Sequence, residues 1–347
     1  MKILLLSMLI VAAASSLAEE SVPADKQEVN VLFIGNSFTH RHDIPSLVKT
    51  IFQEGHPGLT VNTRKMIYGG QNMFTHWTYF KSQTFLEMNS ISEDTIRQRM
   101  DQIQELQSLS ELPSEYVAYP KTLGKKGNLP KLATFQNALG WAFKQHEHLL
   151  KQNPRTKWDY VVLQSWVDEH VDLEKGYAGW AMNFVEVAEQ HDTKVILYIT
   201  APFVQNPEPV DQPRQEGQVA LQMKVAQKLA DQIDAYAVVP VPLAINMIQQ
   251  GGTDLTFCYE KDFHPNQTTA FLTANLFYAA FFKQSPEGFA FDTVTETKLD
   301  DDGKDPDGGD ATVVFDESTK TYLQRIAYEA VEAFNQTTRS GQSSEPQ

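Results

Sequence analysis

The chain has 347 residues, 41% of them hydrophobic and 21% charged, with a formal charge of −15 and a single cysteine. This is the composition of a globular protein large enough to bury a core without staples; the lone Cys258 excludes an intrachain disulfide and reads as a small buried apolar residue. The negative charge argues against nucleic acid, and against polyanions unless a local basic patch exists, and leaves neutral or esterified substrates open.

Met1-Lys2 followed by an apolar run and then Ser16-Leu17-Ala18 is a secretory signal pattern, with cleavage expected after about Ala18 and a secreted or periplasmic mature chain. It is too short for a spanning helix, no later segment is long and apolar enough to cross a membrane, and no cysteine follows to carry a lipid anchor. Residues 19–28 read as a polar arm, 29–336 as one domain and 337–347 as a polar tail.

Val29–Ile34 reads as a buried strand that stops at Gly35, and Asn36-Ser37-Phe38-Thr39 follows. In open α/β sheets ligands bind outside the carboxyl ends of the strands, so Ser37 stands where a nucleophile is useful. Gly-Asn-Ser is also ordinary turn chemistry. Ile44–Phe52 has helical spacing, with Asp43 placed to cap it before Ile44-Pro45. Leu59–Tyr68 reads as a second strand closed by Gly69-Gly70. Residues 71–130 depart from a βα rhythm and read as a mostly helical insertion that roofs the site. Leu132–Gln152 is an amphipathic helix, 158–164 a third strand ending at Gln164, and 173–191 a helix. Lys194–Thr200 and Tyr236–Val241 are strands separated by a helix over Gln212–Ile233. Thr268–Phe282 and Tyr322–Phe334 are the remaining helices. The alternation predicts an α/β protein whose parallel sheet carries helices on both faces.

Three strand ends thus deliver Ser37, Gly69-Gly70 and Gln164-Ser165, and a downstream loop, Asp262-Phe263-His264-Pro265-Asn266, carries a base. Serine hydrolysis needs these parts: nucleophile, base, a group to orient the base, and donors for the oxyanion. The pattern resembles the SGNH hydrolases, the GDSL-like lipase/esterase superfamily, and within it the secreted members that begin Gly-Asn-Ser-Phe-Thr. The resemblance spans about Val29 to Phe282, the insertion excepted. It implies a three-layer α/β/α sandwich with a five-stranded, flavodoxin-like parallel sheet. It also implies a nucleophile at Ser37, a base at His264, and an oxyanion hole from the Ser37 and Gly70 N–H groups, with no cofactor. Short acyl esters, acetyl esters on carbohydrate among them, are the substrates it implies.

Two positions depart from that family. Its third block holds an asparagine whose amide donates to the oxyanion; here Gln164 stands at the strand end, carries the same NH₂ donor on a stem one methylene longer, and is read as the third donor of the oxyanion hole beside Ser37 and Gly70, a donor whose loss would cost about 3–4 kcal/mol in the barrier. Its acid lies three residues before the histidine, where this chain has Lys261. Asp262, Glu260 or a backbone carbonyl is left to orient His264, and Asp262 would face the same side as His264 in an extended segment. Asn72 and His76 follow Gly70 and are read as lining the substrate pocket; His146 and His148 are read as surface residues. Trp77, Trp141 and Trp166 could stack on sugars, with buried packing the plainer use of each.

Two rival readings stay open. One is a catalytically weak or inactive glycan-binding protein of the same fold. The other is a metal-assisted hydrolase using His40, His42 and His264. The acidic stretch 300–310 reads as a solvated loop whose spacing does not fit a calcium hand.

Overall fold

The computed structural model describes residues 27–122, 131–166, 168–169 and 176–342. The segment read as a signal, most of the stretch read as an arm, the end of the expected insertion and the last five residues lie outside them. The chain runs β1 (Glu28–Gly35), α1 (Ser37–His40), α2 (Ile44–Gly55), β2 (Thr60–Ile67), α3 (Met73–Thr78), α4 (Gln83–Leu86), α5 (Glu93–Gln107), α6 (Ser114–Thr122) and α7 (Leu132–Lys151). It continues through β3 (Tyr160–Gln164), α8 (Gly176–Gln190), β4 (Lys194–Ile199), α9 (Glu216–Ile233), β5 (Ala237–Pro240), α10 (Val241–Gln249) and α11 (Gln267–Phe282). A hairpin, β6 (Thr293–Thr295) and β7 (Thr312–Val314), precedes the last helix, α12 (Glu317–Gln342).

The main sheet is five-stranded and parallel throughout, in the order β2-β1-β3-β4-β5. Its strands are buried on both faces, which is why they read as near-continuous apolar runs. Along β1 the side chains alternate: Val29, Val31 and Phe33 enter one core with α2, α10, α11 and α12. Leu32 and Ile34 enter the other, with the insertion helices, α7 and α8. Two helical layers on one sheet make the three-layer sandwich. The chain leaves β1 for β2 on one side and for β3 on the other, so the topological switch lies at the carboxyl ends of β1 and β3, where open sheets bind ligands.

Residues 71–122 are mostly helical, as expected, and their apolar side chains also help complete the second core. Several expectations need correction. His146 is not a surface residue but fully buried, its Nδ1 at 2.8 Å from the Ala142 carbonyl and its Nε2 at 3.0 Å from Thr84 Oγ1. The helix after β4 starts at Glu216 rather than Gln212, because Gln215 has a left-handed φ of 55°. α10, the β6–β7 hairpin and the extension of α12 to Gln342 were not foreseen. α10 follows β5 without a loop, so its start at Val241 falls within the stretch read as strand, and two three-residue strands leave too short a pattern to detect.

Candidate active site

β1 ends at Gly35 because the next strand end crowds it: a Cβ there would collide with Gln164 Oε1 and lie 2.8 Å from Thr39 Oγ1. Asn36 then turns the chain into α1. Its Oδ1 accepts the Phe38 N–H at 3.1 Å as an N-cap, and its Nδ2 donates to the Gln71 carbonyl at 2.7 Å. That second bond ties the Ser37 turn to the loop of Gly69-Gly70, as does the Tyr68 N–H to the Gly35 carbonyl at 3.1 Å. Ser37 heads the helix, so its N–H has no intrahelical acceptor.

His264, the expected base, arrives from the loop before α11. His264 Nε2 lies 3.0 Å from Ser37 Oγ, across 227 residues of sequence. On the other side of the ring stands Asp262: His264 Nδ1 is 3.2 Å from the Asp262 backbone oxygen and 3.5 Å from its Oδ1. The segment is not extended, contrary to the expectation. Phe263 has φ 56°, and Asp262 Oδ1 accepts the His264 N–H at 3.0 Å, so a tight Asx-type turn brings the two side chains together. Phe263, held in this left-handed conformation, is 68% exposed beside the base. Lys261 points away and donates to the Asp307 carbonyl at 2.9 Å, while the Asp307 carboxylate accepts the N–H groups of Glu260 and Lys261. The acidic loop, most of whose residues are exposed as expected, thereby also clamps the His264 loop through Asp307.

Behind Asp262 stands a buried ionic group that the sequence did not announce. Arg41 donates to Asp262 Oδ2 at 2.8 Å and reaches Glu296 with Nε at 2.8 Å and Nη2 at 2.5 Å. Its side chain is 3% exposed and that of Glu296 fully buried, and Lys298 adds a second cation 3.1 Å from Asp262 Oδ2. Burial works to raise the Asp262 carboxyl, but the Arg41 hydrogen bond, the His264 N–H and the Arg41 charge outweigh it and bring the group down to about 2. Burial also opposes ionisation of Glu296, and Arg41 again prevails and lowers it. His264 is lowered from 6.5 by burial first and by the Arg41 charge second, with Asp262 offsetting part of this. Only the residue type of Arg41, between two histidines, hinted at a role; Glu296 is 255 residues away and gave no local signal.

The oxyanion side is only partly as expected. Gly70 has φ 71°, with open space around its Cα, and lies at the exposed edge of the loop held against Asn36. Gln164 does not face the reaction site. It is fully buried, its Oε1 accepts from Asn36 N and Thr39 Oγ1, each at 2.8 Å, and its Nε2 donates to Asn36 Oδ1 and to the Ser165 carbonyl. Held through Oε1 by Asn36 and Thr39 and through Nε2 by Asn36 Oδ1, it props the Ser37 turn from behind. The extra methylene relative to asparagine lets it span the gap between strand ends.

Of the two residues expected to line the pocket, Asn72 is half-buried in a capping role and His76 is out of reach of a substrate. Asn72 caps α3, its Oδ1 accepting the Thr75 N–H at 3.1 Å in a capping box. His76 is fully buried between Ser82 Oγ and the Gly35 carbonyl, each at 2.8 Å, and burial lowers it to about 4. It is a neutral strut under β1, not a substrate contact. Phe38 lies 5.7 Å from the His264 ring and 6.0 Å from Trp166, giving the base an apolar flank. Below the rim, Ser165 donates to Asp168, Tyr119 donates to Asp168 Oδ2 at 2.8 Å, and Glu169 accepts the Thr200 N–H at 2.9 Å, bracing the ends of β3 and β4.

The remaining candidates separate. His40 is exposed, while His42 is buried with Nε2 2.8 Å from the Pro265 carbonyl and 3.3 Å from Glu296. Among the described residues no three His, Cys, Asp or Glu side chains are grouped as a metal ion would need. Asp43 occupies the cap position of α2 but makes no capping bond; it accepts instead from Ser46 Oγ at 2.8 Å and from Lys65 at 3.0 Å. Cys258 is buried and burial pushes its thiol up to about 11, so it is inert packing. Trp77 packs on Phe184 and Trp166 on Phe38, but Trp141 is 62% exposed, against the expectation of burial. Among the described residues no helix is long and apolar enough to cross a membrane.

No protein-family model matches the chain, and no curated protein sequence does. Among solved structures, a candidate SGNH hydrolase from Slackia heliotrinireducens is 15% identical over 73% of this chain and 97% of its own, with a TM-score of 0.38. A DUF4886 family protein from Bacteroides uniformis is 14% identical over 88% of this chain and 95% of its own, with a TM-score of 0.44. A gut microbial diltiazem-metabolizing enzyme is 11% identical over 76% of this chain and 49% of its own, with a TM-score of 0.36.

Proposed function

We propose that the chain is an exported serine esterase that removes short acyl groups, acetyl above all, from carbohydrate through an acyl-enzyme. The observation that carries the chemistry is the 3.0 Å contact between Ser37 Oγ and His264 Nε2, with Asp262 behind the ring. In this reading Ser37 Oγ attacks the acyl carbon as His264 Nε2 takes its proton, and the imidazolium then gives that proton to the leaving alkoxide. Water, deprotonated by the same ring, releases the acid. The Ser37 and Gly70 N–H groups hold the oxyanion. With Gln164 turned away, the hole has two backbone donors and lacks the side-chain donor of the family pattern, which favours reactive or well-held esters over slow ones. The carbohydrate part of the reading follows from the sequence resemblance and from the exported location the leader implies.

A fluorophosphonate probe tests it. The mature protein is expected to gain one adduct, on Ser37 by peptide mapping. No adduct would favour the rival reading of a glycan-binding protein with little turnover, for which the tied Gln164 amide already speaks.

The pH dependence has a definite sign. The base works as neutral imidazole, and burial together with Arg41 lowers His264 below 6.5. The acidic limb of kcat/KM is therefore expected to turn over below pH 6.5, with full activity at neutral pH. A limb clearly above that value in a pH–rate profile would contradict the arrangement.

A further inference from the structure

On the opposite rim, at the amino ends of β1, β2 and β3, the surface opens into a groove of about 930 Å³. β1 separates it from Ser37 by on the order of 20 Å, so it is no part of the esterase site. Its most exposed feature is the Trp141 ring on α7, 62% accessible, which also borders a second, smaller hollow on its other flank. An indole left in water beside a groove is a flat apolar platform of the kind that sugar rings stack on.

The polar lining is biased towards donors. Arg64 directs its guanidinium at the side-chain oxygens of Gln152, at 2.7 Å, and of Gln145, at 3.5 Å. Each amide thus has its acceptor engaged and its NH₂ left for a ligand. Lys144, Arg155 and Lys157 add cations to the lining: Lys144 lies over the Trp141 ring at 5.3 Å, Arg155 donates to the Ile91 carbonyl at 2.7 Å, and Lys157 is paired at the surface with Asp192 at 3.1 Å, which leaves Lys144 as the cation nearest the indole. The carboxylate in the lining, Glu28, already accepts from Asn62 Nδ2 at 3.1 Å. In a protein of charge −15 this is the local basic patch that alone would admit a polyanion.

We propose that this groove binds an acidic saccharide, a uronate-containing glycan whose ring stacks on Trp141 while its carboxylate meets Lys144 and the Gln145 and Gln152 amides. The groove would hold the polymer independently of whether Ser37 cleaves anything.

The test uses the full mature chain carrying Ser37→Ala, so that hydrolysis plays no part. Titration with a galacturonate tetramer, followed by tryptophan fluorescence and calorimetry, is expected to saturate. Neutral oligosaccharides of the same length should bind more weakly, and added salt should narrow the gap. Trp141→Ala should weaken the galacturonate by about tenfold or more. Lys144→Gln with Lys157→Gln should remove the preference for the acidic sugar; all these positions are on the surface, so the fold is retained. No saturation by either sugar, equal binding of the acidic and neutral forms, or binding unchanged by Trp141→Ala would each overturn the proposal. Turnover of a small acetyl ester by Trp141→Ala in the Ser37 background is expected to stay unchanged, which separates failure of the groove from failure of the esterase reading.

Discussion

Ser37→Ala is expected to lower ester turnover by about 10⁴-fold or more, with thermal stability almost unchanged. The first half follows from the mechanism: without Oγ there is no acyl-enzyme, and what is left is the catalysis that the oxyanion donors and binding supply to attacking water. The second half follows from position. Ser37 is half-buried at the rim, and its side chain makes one bond, to the 29% exposed ring of His264, so nothing in either core is disturbed. Removal of such a contact is worth no more than about 0.5–1.5 kcal/mol. Steady-state kinetics on an activated acetyl ester beside a calorimetric melt checks both. Turnover that survives the substitution would remove Ser37 from the chemistry, and the base would then need another nucleophile.

Arg41→Met is the second large effect, and it falls on the fold as well as the reaction. The guanidinium holds two carboxylates at once, and one of them, Glu296, has no exposed side-chain surface. Removing one partner of a buried ion pair and leaving the other charged costs about 3–5 kcal/mol. The pH dependence should change with it. A carboxyl whose folded value is depressed contributes stability that is present above its unfolded value and lost as pH falls through the folded one. For Asp262 that window runs from 3.8 down to about 2. In the wild-type chain part of the stability should therefore disappear across that window, and in Arg41→Met this part should be largely absent. The same substitution removes a cation that lowers His264, so the acidic limb of kcat/KM should move to higher pH. Where Arg41→Met fails to fold, Glu296→Gln serves: it keeps Arg41 on Asp262 and should lose stability while moving the kinetic limb far less. A melting temperature unchanged in both variants would mean that the network is solvated and contributes nothing.

The Arg41–Glu296 pair also explains how a chain without the family's acid three residues before the histidine still presents a charged Asp262. In an Asx turn the carboxylate is drawn towards the His264 N–H, and its second oxygen needs a partner to stay ionised; Arg41 and Lys298 are that partner. The hairpin and acidic loop between α11 and α12 supply Glu296, Lys298 and Asp307, so the C-terminal segment belongs functionally to the His264 loop although it lies outside the stretch that resembles the family.

How far each feature could be read depends on how local its cause is. The strand ends at Gly35 and Gln164, the amphipathic α2 and α7, and the pairing of a serine turn with a His-Pro loop are set by residues within a few positions of one another. Periodicity and turn chemistry are local physics, and they yield a parallel sheet between two helical layers. The misread side chains His76, His146 and Gln164 each have a partner remote in sequence. His76, His146 and Gln164 have the chemistry of site residues, and only the packing of β1 against β3, and of the insertion against the sheet, turns them into struts.

By itself, then, the amino-acid sequence determined the layers, the parallel strands and the two residues, Ser37 and His264, that need to meet. Only the tertiary structure decided that Asp262 bends back through Phe263, that Arg41 and Glu296 hold it charged, and that Trp141 stands in solvent at the far rim. Backbone conformation and amphipathic burial are encoded over a few residues. The charge state of a carboxylate and the exposure of a ring depend on groups that the fold brings from anywhere along the chain.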